Sequence, residues 1–303
     1  MSAAIPISSR KRSRKRPTAT AGTPIAIVPR ERLDFGLDGD IPRHWFGGDA
    51  FKTRFFDAMS TMFPEGERFF INCVRDYRGQ ITDPQLREDV KNFIRQEGQH
   101  TMVHRQYNQR LKAQGIDCDW LEGANGFKLD RFRRVLPKRF TLAMTAAAEH
   151  LTAVMSHGFF EEREAFAGSD PRLHAVYLWH GVEEIEHKGV AFDVMRKIAG
   201  VGYVERVTAM ALLTIFFPHR VVLALNHMLE VDGYDATQRA AAWLKGLWWL
   251  FGPAGLLAPM VSHYLSYYQP GFHPWQHGSM AEYQQWLQTF DQTGDPVAAA
   301  QAA

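Results

Sequence analysis

The stretch "LWHGVEEIEHKG", residues 178–189, decides how this chain is read. It sets two histidines and three glutamates on one helical segment, with apolar residues on both sides. A solvated surface helix and one wall of a metal site share that composition, so periodicity has to separate them. Over residues 170–198, Leu173, Tyr177, His180, Glu184, His187, Ala191 and Val194 recur in steps of four and three. That is the inward stripe of a bundle helix. The ionisable residues therefore occupy positions where a core wants apolar side chains. Glu183 and Glu186 flank the stripe and read as solvated, or as partners standing behind the ligands.

The same pattern occurs earlier. In residues 84–113 the stripe is Leu86, Val90, Phe93, Glu97, His100, His104, Tyr107 and Leu111, so Glu-x-x-His appears on it a second time. Two further segments each carry one inward carboxylate. Phe56, Met59, Phe63, Glu67, Phe70, Val74 and Tyr77 share a stripe, as do Leu142, Ala146, Glu149, Ala153 and Ser156. Glu67 lies about one turn after Pro64, nearer a helix start than the other three. A lone buried glutamate costs several kcal/mol or stays protonated. Four of them converging with histidines call for a compensating cation.

In chain order the set is Glu67, Glu97-x-x-His100, Glu149 and Glu184-x-x-His187. One glutamate from each of two helices and Glu-x-x-His from each of the other two is the di-iron carboxylate arrangement. The expected fold is all-α: a four-helix bundle with a di-metal core and additional C-terminal helices. Carboxylates and imidazoles together suit two Fe ions, with Mn or a mixed Fe/Mn pair as alternatives.

The rest of the chain sets bounds. Its 303 residues, 46% hydrophobic and 22% charged, suffice for a sizeable core. A net charge of +2 argues against a nucleic-acid binder with a broad basic face. Cys73 and Cys118 form no disulfide framework or metal knuckle. Residues 1–40 are expected to be a disordered basic tail, opened by six basic residues among Arg10–Arg16. The bundle is placed at 41–200, apolar helices packed on it or at a membrane surface at 201–280, and a terminal helix or tail at 281–303. No secretion signal is evident, and the two apolar stretches after Gly200 are interrupted by Pro218, His219 and Arg220 or by Gly-Pro. The expected location is cytoplasmic, with contact at the inner membrane face left open.

The bundle resembles the ferritin-like superfamily. More narrowly, "FPEGERFF", "IRQEGQHTMVH", "LWHGVEEIEHKGVAFDV" and "YYQPGFHPWQH" resemble the family of predicted metal-dependent hydrolases, over roughly residues 42–277. His-x-x-x-Glu-x-x-His at 180–187 is similar to a helix of the arylamine N-oxygenases. That similarity implies His180 as a third histidine ligand, against a role as a packed core histidine. His104 and Glu183 are expected behind the ligands.

Three functions follow as expectations. The leading one is a di-iron oxygenase or oxidase that uses O2 on a small organic or lipid-like substrate, with an electron donor as partner. The alternative is a metal-dependent hydrolase using a metal-bound hydroxide, and the third is iron handling. A homodimer is left open and nucleic acid is not expected.

Overall fold

The computed structural model describes residues 24–161, 166–253, 255–276 and 280–303. The described residues are helical with no strand, apart from an isolated bridge between Phe46 and Ser169. Helices α1 (Ala50–Ser60), α2 (Phe63–Arg75) and α3 (Pro84–Ala113) come first. Asp49 and Asp83 accept from the first free backbone N–H groups of α1 and α3, and Pro84 fits a first turn whose N–H has no intrahelical partner. Helices α5 (Lys138–Glu161) and α6 (Pro171–His187) complete a ring in which α2 touches α3 and α5, and α6 touches the same two. The stripes of α3, α5 and α6 are buried throughout, so the polar cluster lies on the axis of this ring.

Three expectations change. Helix α4 (Cys118–Val135) had not been read as an element. Its segment contains Gly123 and Gly126, which weaken a helical pattern in sequence. Gly126 lies against α2, where a Cβ would stand 2.7 Å from Glu65 Oε2.

The helix read over 170–200 is broken. It stops at His187, turns at Lys188–Gly189, and resumes as α7 (Val190–Asp193) and one π-helical turn, Val194–Ile198. At Gly189 a Cβ would stand 2.4 Å from Trp275 Nε1, so the chain turns where a distant indole packs on it.

The boundary at residue 40 is too late. Residues 24–40 lie against the bundle and bury Ile27, Arg30 and Phe35, while the basic run at Arg10–Arg16 falls outside the described residues. At the C-terminus, read as helix or tail, the structure has helix. Helices α11 (Ala281–Thr293) and α12 (Pro296–Ala302) pack on each other, with α12 against α6, and bury Tyr283, Trp286 and Leu287.

Between them run α8 (Tyr203–Val231), α9 (Ala236–Phe251) and α10 (Met260–Ser266). Helix α8 packs on α5 and α1. It is long and apolar enough to cross a membrane by length and composition, yet it contains Pro218 and the buried Arg206 and Arg220.

Candidate metal centre

The ring of α2, α3, α5 and α6 brings Glu67, Glu97, His100, Glu149, His180, Glu184 and His187 into one buried cluster. His104 joins them. Four overlapping groups, each with ligand atoms within 4.8 Å of one another, can hold a metal ion: Glu67–His104–His180, Glu67–Glu97–His100, His100–His180–Glu184 and Glu97–Glu184–His187. Five residues, namely Glu67, Glu97, His100, His180 and Glu184, belong to two groups each, so the atoms form one continuous set. Glu149 enters through His187, whose Nε2 lies 3.1 Å from Glu149 Oε2, 3.2 Å from Glu97 Oε1 and 3.3 Å from Glu184 Oε2.

The hydrogen bonds around the cluster fix which atoms point inward. His187 Nδ1 meets Gln96 Oε1 at 3.0 Å, so Nδ1 carries a proton and Nε2 faces the carboxylates, as an N–H in the metal-free chain and as the ligand nitrogen when a metal is held. His100 turns Nδ1 toward Glu97 and Glu184, and its Nε2 lies 3.2 Å from Glu183 Oε2. Thr101 donates to Glu67 Oε2, and the Thr152 hydroxyl donates to Glu184 Oε2.

A longer chain fixes His180. Asn108 Nδ2 donates to Ser60 O and Glu122 Oε1, so its Oδ1 is the atom that accepts from the Ser60 hydroxyl. His104 Nδ1 must then donate to Ser60 Oγ, at 2.9 Å. Burial, reinforced by His180, holds the His104 pKa well below the usual imidazole range. The ring is neutral, and its Nε2 accepts from His180 Nδ1 at 2.8 Å. His180 Nε2 then faces Glu184 Oε1 at 3.0 Å. A cation between the two atoms, proton or metal, satisfies the contact.

The donor set fits a metal on a second ground. Both oxygens of Glu97 and of Glu149, Oε1 of Glu67, both nitrogens of His100 and Nε2 of His187 are buried without a hydrogen bond. Leaving so many polar atoms unmet costs several kcal/mol each unless something else meets them. Without metal the cluster holds protons instead. Burial pushes Glu97 and Glu67 well above the usual carboxylate range, and Glu149 up to about 7 with the help of Glu184. Burial also opposes charge on Glu184 and His187, but their mutual attraction wins. It holds the carboxylate well below, and the imidazole well above, its ordinary value.

Of the two readings of Glu183 and Glu186, the solvated one does not hold. Both are fully buried and Arg30 spans them at 3.3 and 2.6 Å, while Glu183 Oε2 also faces His100. Gln96 Nε2 and the Val28 backbone N–H also donate to Glu186, which ties His187 through Gln96 to the N-terminal segment. Sequence reading missed Gln96, Arg30 and Ser60. Gln96 directly precedes a ligand on a long helix and was open to inference; Arg30 lies 153 residues from Glu183 and was not.

The fold and the cluster thus define a metal-dependent all-α protein whose candidate ligands come from four helices. The chain belongs to the family described as predicted metal-dependent hydrolase, whose model matches residues 29–278. No curated protein and no solved structure matches it.

Proposed function

We propose that this chain is a hydrolase whose Glu/His cluster binds two metal ions. The observation that carries this is the set of buried carboxylate and imidazole atoms without hydrogen bonds, in a chain of this family. When bound, the ions would supply Lewis acidity and a water of lowered pKa. Glu67, Glu97, Glu149, Glu184, His100, His180 and His187 would hold them.

The chain's own residues supply the rest. Phe63, Thr152 and Met155 line a small cavity that ends on His180 and Glu184. The Thr152 hydroxyl, bonded to Glu184, borders that cavity, and its apolar walls exclude bulk water. The Gln96–Glu186–Arg30 network holds His187 in one tautomer. The His180–His104–Ser60 chain leads from Glu184 toward α1 and gives a proton a route away from the cavity.

The test is metal content of the purified chain beside Glu184→Ala, with hydrolysis of a chromogenic ester. About two ions per chain, lost together with hydrolysis in the variant, are expected. Bound metal without hydrolysis of any ester tried would move the assignment to the second reading.

That reading is oxidation of a small or lipid-like substrate with O2 and an electron donor. It is favoured by the place of His180 Nε2 at Glu184, where the similarity to arylamine N-oxygenases puts a third histidine. O2 consumption by the iron(II)-loaded chain would support it.

A further inference from the structure

The outer half of α8 is apolar along its length. Val204, Thr208, Ala211, Ile215, Pro218 and Val222 form one exposed stripe, with Ile215 72% exposed. Helix α9 continues the surface with Leu244, Trp248 (71% exposed) and Phe251 (62%), and α10 with Val261 and Leu265. The three helices are tied together: Trp243 Nε1 donates to Asn226 Oδ1 at 2.8 Å, and the Thr214 and Tyr264 hydroxyls meet at 2.9 Å. From Gly246 to Ala281 the sequence has no Asp, Glu, Lys or Arg. An exposed apolar surface of this extent marks an interaction site.

Behind the same helix lies a cavity. Leu213, Phe216 and Phe217 of α8 close one side of it, and Phe63, Thr152 and Met155 line it from α2 and α5. Phe63, Thr152 and Met155 also line the smaller cavity that ends on His180 and Glu184. One segment of α8 therefore faces outward through Ile215 and lines, through its neighbours, a space leading to the metal cluster.

We propose that the outer face of α8, α9 and α10 lies on an anionic lipid bilayer, and that the small cavity behind α8, about 60 Å³ in this structure, widens to take the acyl chain of a lipid ester whose carbonyl reaches Glu184 and His180. This rests on the hydrolase reading above. Hydrolysis there adds water across the ester: the acyl C–O bond breaks, the carbonyl carbon gains OH, and the alcohol leaves with the proton.

The bilayer is the occupant for three reasons. Trp248 and Phe251 stand among aliphatics, as interfacial anchors do. Helix α4 meets α8 through Phe132 and Phe216, with ring centroids 5.5 Å apart, and exposes Phe127 with Arg131 and Arg134, a basic flank suited to anionic headgroups. Arg206 and Arg220 are held inside by the carbonyls of Gln269 and Leu121, so α8 lies along a membrane rather than through it.

Vesicle flotation of the full chain tests the face. Phosphatidylglycerol-rich vesicles are expected to carry the wild type, and Trp248→Glu/Phe251→Glu is expected to lower partitioning at least about tenfold. The same double variant should still hydrolyse a short water-soluble ester. Leu213→Trp, which narrows the cavity, should weaken binding of a fluorescent fatty acid about tenfold while leaving flotation intact.

No flotation of the wild type, equal flotation of the double variant, or unchanged fatty-acid binding in Leu213→Trp would each overturn the proposal. So would a wild-type dimer that the double variant turns into monomer without any vesicle binding, since the face would then be a self-interface. A metal-free chain that still binds vesicles and fatty acid would remove the hydrolase reading and leave the membrane face standing.

Discussion

Two groups of buried acids in this molecule are built in opposite ways. At one end of α1, Asp57 and Asp232 are almost inaccessible, and every carboxylate oxygen has donors. Asp57 receives Trp45, Tyr107, Arg110 and Arg54, and Asp232 receives Arg43, His44 and two nitrogens of Arg54. At the ring axis, Glu67, Glu97, Glu149 and Glu184 have no arginine or lysine among their ion-pair partners in the described residues, and both oxygens of Glu97 and Glu149 accept nothing. The first group is complete as protein. The second is completed by something that is not protein. Burial alone does not mark a site; burial with unmet lone pairs does.

The largest effect that would break this contrast is on Arg54. Arg54→Met removes three hydrogen bonds from two buried carboxylates, leaves Asp57 Oδ2 with no donor, and should cost about 3–5 kcal/mol in urea unfolding. An equal loss from Glu149→Gln in metal-free protein would erase the distinction. Glu149→Gln is instead expected to leave the metal-free chain as stable or more so, because the carboxyl is under strain there, while metal binding is lost.

The pH profiles should also diverge. Burial opposes the charge on Asp232, but Arg54 and its other donors hold the pKa well below the usual carboxylate range. Its stabilising effect is therefore full above the unfolded value of about 3.9 and is lost as pH falls through the folded value. Glu149 is raised to about 7 by burial and Glu184, so the folded metal-free chain binds its proton more tightly than the unfolded chain does. That contribution is present below about pH 4 and is lost as pH rises to 7. Metal-free protein should lose stability between pH 5 and 8, as thermal unfolding at each pH would show, and Glu149→Gln should flatten the slope.

Smaller effects sharpen the picture. Gln96→Leu removes the acceptor of His187 Nδ1 and should weaken metal binding about 10–100-fold, read by chelator competition. Arg30→Gln should act in the same direction, since Glu183 and Glu186 lose their shared cation. Trp248→Glu, 71% exposed, should change stability in solution by less than about 0.5 kcal/mol.

Much of the centre was legible because helical spacing is local. Steps of three and four put Glu97 and His100, or Glu184 and His187, on one side of a helix whatever else the chain does. An ionisable residue on an apolar stripe is visible without coordinates. The stripes of α3, α5 and α6, with their polar interruptions, are buried as the spacing requires. The neighbours of those stripes were harder. Glu183 and Glu186 read in sequence as either solvated or behind the ligands, because nothing near them supplies a cation, and the segment holding Arg30 reads as tail. Helix α4 was hidden by two glycines, one of them packed against Glu65.

The sequence by itself determined the all-α class, the four stripes and the residues that interrupt them, since periodicity and capping act over a few residues. Only the tertiary structure decided that Arg30 reaches α6 from more than 150 positions away, that Trp275 packs on Gly189 where the chain turns after α6, and that His180 Nε2 faces Glu184. Those are contacts between segments far apart in the chain. Their partners are chosen by how helices pack, and no local rule carries that information.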